Sequence, residues 1–115
     1  MARIRNMAKG PEAIIQEKII AKLRYLKWSV RATHGNMYQW GFPDLFAAHR
    51  YFGQRWIEVK DPNRKGNIFT EAQHEYFQEL TAVGCGVWVL TGDDDDEIAK
   101  LQGPANWWHY LGVMR

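Results

Sequence analysis

A Pro43-Asp44 pair followed by Glu58-Val59-Lys60 sets two carboxylates and a lysine at the spacing of a metal-dependent phosphodiesterase site. Carboxylate oxygens are hard donors that suit Mg²⁺ or Mn²⁺. Such a cation lowers the pKa of a bound water and stabilises charge developing on a phosphate. A lysine beside the pair orients or helps to deprotonate that water and offsets phosphate charge. Glu-x-Lys triplets are nevertheless common, and a solvated hairpin carrying a surface ion pair explains the same residues about equally well. Other residues have to decide between the two.

The elements that must position these groups are readable. Gly53 to Lys60 is rich in β-branched and aromatic residues between turn formers, which predicts a strand. Glu58 and Lys60 then share one face, while Ile57 and Val59 point to the other, an apolar face suited to packing under a helix. Phe42 to Ala48 is a shorter apolar run whose proline fits a strand start, so a hairpin brings Asp44 beside Glu58.

Two helices add candidates. From Pro11 to Lys27, apolar residues recur at Ile15, Ile19, Ile20, Leu23 and Leu26, the spacing of an amphipathic helix with a proline in its first turn. Glu12 projects into the middle of that stripe. A carboxylate facing a core implies a cation or a metal beside it, although an acidic residue in a first turn also suits the helix dipole. Thr70-Glu71-Ala72-Gln73 has the form of a capping box opening a second helix that runs to Gly84. Gln73 lies on its apolar side, so it either completes the cap or points into the site.

Glu12, Gly41-Phe42-Pro43-Asp44-Leu45, Trp56-Ile57-Glu58-Val59-Lys60 and Thr70-Glu71-Ala72-Gln73 together resemble the VRR-NUC family, a branch of the PD-(D/E)XK nuclease superfamily. The resemblance implies an α/β restriction-endonuclease-like fold, a mixed sheet flanked by helices in the order αβββαβ with a further C-terminal helix. It implies a nuclease site of Asp44, Glu58, Lys60 and Gln73, with Glu12 as the helical carboxylate. The metal would be held by Asp44, Glu58, the Val59 carbonyl and Glu12. Family members are metal-dependent DNA nucleases, here using Mg²⁺ or Mn²⁺. Compact stand-alone versions resemble phage-encoded homodimers that act on branched DNA such as four-way (Holliday) junctions. Two readings stand beside that one: a catalytically silent DNA-binding or assembly protein on the same fold, and a nuclease for simple duplex, single-stranded DNA or RNA.

The loop leaving the Glu58 strand carries Arg64 and Lys65, well placed to hold a DNA backbone, a contact that gives affinity without sequence information. Arg3, Arg5 and Lys9 offer a second arm or an ordinary solvated end, and residues 1–10 are expected to form a flexible N-terminus. The 115 residues, 46% hydrophobic, make one domain with a small core and leave no room for a second. A net charge of +2 is only mildly basic, so nucleic-acid binding must come from local patches. The single cysteine, Cys85, permits no internal disulfide and fits a reducing cytoplasm, the host's if the chain is phage-encoded. No signal peptide or long apolar run appears, so neither secretion nor membrane insertion is expected.

The rest reads as scaffold. Gly86 to Thr91 is an apolar run suited to a buried strand, and Trp28 to His34 to an edge or hairpin strand. Asp93 to Glu97 marks the start of a last helix rather than a second metal site. The histidines His34, His49, His74 and His109 lack metal-ligand spacing, although His74, next to Gln73, could approach substrate. Trp107 and Trp108 lie in a tail that looks too short to bury both, which suggests a dimer interface, and Trp40 is a candidate for stacking on an unpaired base.

Overall fold

The computed structural model describes residues 10–33, 41–64 and 68–111. Helix α1 (Pro11–Tyr25) is followed by strands β1 (Ser29–Ala32), β2 (Leu45–His49) and β3 (Gly53–Val59). Helix α2 (Glu71–Ala82), strand β4 (Val87–Leu90), a short helix α3 (Asp95–Ala99) and two 3₁₀ turns, Lys100–Gln102 and Trp107–Tyr110, complete the chain. The sheet order is β1-β2-β3-β4. The first three strands form an antiparallel meander, and β4 lies parallel to β3 after the α2 crossover. The order is the expected one, with 3₁₀ turns added after the last helix.

Both faces of the sheet are covered, and strand alternation decides what each face carries. Ile57 and Val59 of β3, Leu45 and Ala47 of β2, and Trp88 and Leu90 of β4 pack with Ile19 and Leu23 of α1. Val87 and Val89 of β4 pack on the opposite face with Phe77 and Leu80 of α2 and with Ile68, Phe69 and Trp107. Leucine and isoleucine side chains buried like these contribute roughly 1.5–3 kcal/mol each. Glu58 belongs to the second face by alternation, so the sequence sends it under α2.

One expectation changes. Leu26 was placed in the core stripe of the first helix, but it is 38% exposed, because the helix ends at Tyr25 and Lys27 turns the chain at φ 75° into β1. The tail does bury one of its tryptophans: Trp107 is 4% exposed, packed edge-on to Phe69 and Phe77, with its indole N–H donating to the Thr81 hydroxyl at 3.0 Å. Trp108 remains 43% exposed.

The outer edge of β4 is closed by a side chain rather than a strand. The Asn106 carboxamide accepts from the Val89 N–H at 2.6 Å and donates to the Val89 carbonyl at 3.3 Å, as a neighbouring peptide would. The Asn106 N–H donates to the Val87 carbonyl at 3.2 Å. Among the described residues no helix is long and apolar enough to cross a membrane.

Candidate active site

Asp44 reaches the end of β3 because the turn before β2 is locked from several sides. Gly41 adopts φ +87°, and a Cβ there would lie 2.5 Å from the Ala72 carbonyl oxygen in the first turn of α2. Only glycine meets both demands. Phe42 stacks on Tyr76 at 5.1 Å with an interplanar angle of 5° and meets Trp56 edge-on at 5.8 Å. The Thr33 hydroxyl donates to the Pro43 carbonyl at 2.7 Å, and the Thr33 N–H to the Asp44 carbonyl at 2.9 Å. Asp44 Oδ2 then accepts from the Val59 N–H at 2.8 Å, which ties the start of β2 to the end of β3. Sequence reasoning passed over Thr33, Phe42 and Tyr76 as positioning residues, and only the Gly-Phe-Pro-Asp string carried a signal for one of them.

Glu58 and Lys60 share a face as the two-residue period requires, and both are almost fully buried, at 1% and 3% exposure. Their charged atoms, Lys60 Nζ and Glu58 Oε2, are 3.0 Å apart. Gln73 joins them from the first turn of α2. Its amide nitrogen donates to Glu58 Oε2 at 2.7 Å, while its amide oxygen accepts from Lys60 Nζ at 3.3 Å and from the Thr70 N–H at 3.0 Å. The Thr70 hydroxyl accepts from the Gln73 N–H at 3.1 Å and completes the capping box. The two roles that the sequence left as alternatives are therefore filled by one side chain. The orientation of the amide is fixed, because two donors face its oxygen and one acceptor faces its nitrogen.

Glu12 stands a step back. Its Oε2 accepts from the Asp61 N–H at 3.3 Å and from Arg64 at 3.2 Å, and its side chain is 37% exposed. Glu12 therefore does not face the buried core as its place in the helical stripe suggested, and the cation beside it is the Arg64 guanidinium at the surface. Arg64 reaches it from a turn in which the Arg64 N–H donates to the Asp61 carbonyl and the Asp61 carboxylate accepts from the Asn63 N–H. Lys65, the arm of Arg3, Arg5 and Lys9, and Trp40 and His34 lie outside the described residues. His74 contacts Gln78 and the edge of Trp107, so its ring is engaged on the α2 surface.

The electrostatics of the pocket are those of crowded carboxylates. Burial, and then the charge of Asp44, push the Glu58 carboxyl up from 4.5 to about 8, although Lys60 and Gln73 pull the other way. Burial also raises Asp44, with Glu12 adding to the rise and the Val59 N–H and Lys60 opposing it. Buried like charges are relieved by a proton or by a cation. Glu58 Oε1 is the one buried side-chain polar atom among the described residues that has no hydrogen-bond partner.

Asp44 and Glu58 thus fit a hard divalent cation, with the orphaned oxygen as an available donor. Among the described residues no three acidic, histidine or cysteine side chains form a preformed metal cage. Mg²⁺ does not require one, since it keeps several waters and takes one or two carboxylates. Val59 contributes its N–H to hold Asp44, and its carbonyl leaves the same strand end.

No protein-family model matches the sequence, and no curated protein matches it. A solved structure titled "VRR_NUC domain" is similar to this chain, with 21% sequence identity and a TM-score of 0.59 over 79% of this chain and 95% of that one. With its meander, its α2 crossover and helices on both faces, this chain has the restriction-endonuclease-like fold of a VRR_NUC domain.

Proposed function

We propose that this chain is a member of the VRR-NUC family and a divalent-cation-dependent nuclease that hydrolyses phosphodiester bonds in DNA. One observation carries the reading: Asp44, Glu58, Lys60 and Gln73 meet at one end of β3, and the buried Glu58 Oε1 is left without a partner. A structural ion pair would not need a second, half-buried carboxylate beside it or an orphaned acceptor, both of which cost stability.

Asp44 and Glu58 would hold the cation, Mg²⁺ or Mn²⁺. When bound, the cation supplies Lewis acidity, which lowers the pKa of a water and neutralises charge on the phosphate. Lys60 Nζ, held beside Glu58 and Gln73, would orient an attacking water and meet charge developing on the phosphate. Gln73 holds Lys60 and Glu58 at a fixed separation, so neither group has to reorganise as the reaction proceeds. Arg64 contacts a backbone phosphate next to the scissile one.

Branched DNA cut by a homodimer is the finer form of the proposal. The exposed Trp108 supports it as an aromatic contact surface, because one subunit has one site and opposed strands need two. The test is cleavage of matched labelled duplex, flap and four-way junction DNA with Mg²⁺ or Mn²⁺, with light scattering for subunit number. No cation-dependent cleavage of any substrate would refute the nuclease. Equal rates on duplex and junction, or a monomeric mass, would refute the finer form alone.

A further inference from the structure

Arg64 and Glu12 are far apart in sequence, and the roles they would have in a nuclease compete with each other. Arg64 lies on the turn that leaves β3, exposed enough to meet a phosphate, and Glu12 accepts from the Asp61 N–H beside Lys60, close enough to the carboxylate pair for its charge to add to the rise at Asp44. Yet in the free protein each is engaged by the other, Arg64 to Glu12 Oε2 at 3.2 Å. The side chains are 39% and 37% exposed, so the bond is open to solvent and weak. A phosphate offers a guanidinium a stronger bidentate partner than one shared carboxylate oxygen does. Arg64 also sits on a tight turn closed by the Asp61 carbonyl and carboxylate, so it can change partner without disturbing β3.

We propose that Arg64 is a positioning residue that acts through Glu12: it withholds the Glu12 carboxylate in the free protein and releases it toward the cation held by Asp44 and Glu58 when a DNA phosphate takes the guanidinium. The proposal rests on the nuclease reading. Its consequence is that DNA and cation favour each other's binding by more than bulk charge neutralisation, and by linkage the two effects are equal.

Calorimetric titration of Mn²⁺ into the full chain tests this without any turnover. The variants are wild type, Glu12→Gln, Arg64→Ala and the double variant, each first checked for cooperative thermal unfolding. Glu12→Ala replaces Glu12→Gln if the latter fails to fold. Without DNA, Glu12→Gln should leave Mn²⁺ affinity nearly unchanged while Arg64 is present, and should weaken it about three- to five-fold in the Arg64→Ala background. With a short duplex present and Lys60→Ala preventing cleavage, Glu12→Gln should weaken Mn²⁺ binding even with Arg64 intact. Equal effects of Glu12→Gln in both backgrounds would mean that Glu12 acts only as a distant charge, and would overturn the proposal while leaving the nuclease reading intact. An unchanged response with DNA present would overturn it too. A wild-type chain that binds no divalent cation would remove both.

Discussion

Replacing Glu58 by glutamine should make the cation-free protein more stable at pH 8 than the natural chain. The Glu58 carboxyl is raised to about 8 in the fold, from 4.5. A group raised in this way holds its proton longer in the folded state than in the unfolded one. Its contribution to stability is therefore complete below pH 4.5 and is lost as pH climbs toward 8. At about 1.4 kcal/mol per unit, that rise corresponds to roughly 5 kcal/mol at full ionisation. A domain of this size has only about 5–15 kcal/mol in total. Glutamine keeps the shape and the neutral charge of the protonated acid, so Lys60 sees much the same partner at pH 5 in both proteins. Urea unfolding in EDTA at intervals from pH 4.5 to 9 gives the difference curve between Glu58→Gln and wild type. That difference should be small at pH 4.5 and should grow by several kcal/mol in favour of the variant by pH 8. Adding Mg²⁺ at about a hundred times its dissociation constant should return about 2.7 kcal/mol to the wild type and nothing to the variant. A flat difference curve would refute the crowded-carboxylate account of this pocket.

Lys60→Ala should abolish cleavage by any cation while leaving duplex affinity within about two-fold in a gel-shift titration, because backbone contacts rather than Lys60 supply binding. Full activity in that variant would sink its assignment. Gly41→Ala forces a Cβ to within 2.5 Å of the Ala72 carbonyl at a φ of +87°, and should cost about 2–4 kcal/mol in thermal or urea unfolding. Asn106→Ala removes both bonds to Val89 and should cost about 1–3 kcal/mol, with light scattering reporting self-association through the bared β4 edge.

The parts legible in the sequence are those governed by short periods and local chemistry. Alternation alone placed Glu58 and Lys60 together and turned Ile57 and Val59 to the opposite face under a helix, which the structure shows to be α1. Capping chemistry placed Thr70 and Gln73 to the residue. The hairpin that brings Asp44 to Val59 followed from two apolar runs joined by a turn. What was hidden depends on contacts between distant segments. Nothing local pairs Glu12 with Arg64 or sends Thr33 to the carbonyls of Pro43 and Asp44. Leu26 fits the helical stripe perfectly, and it is exposed only because the chain turns at Lys27 to begin β1. Trp107 and Trp108 are chemically identical neighbours, and only the packing of Phe69 and Phe77 separates the buried one from the exposed one.

The Gln73 amide oxygen both closes the start of α2 and receives Lys60. Fraying of the first helical turn therefore releases the lysine, and withdrawal of the lysine loosens the turn. A chain that is only partly folded loses the arrangement of Glu58, Lys60 and Gln73 along with that single amide. In the proposed nuclease, a copy in which that turn is unformed would lack the arrangement needed for cleavage, with no inhibitor required to keep it so.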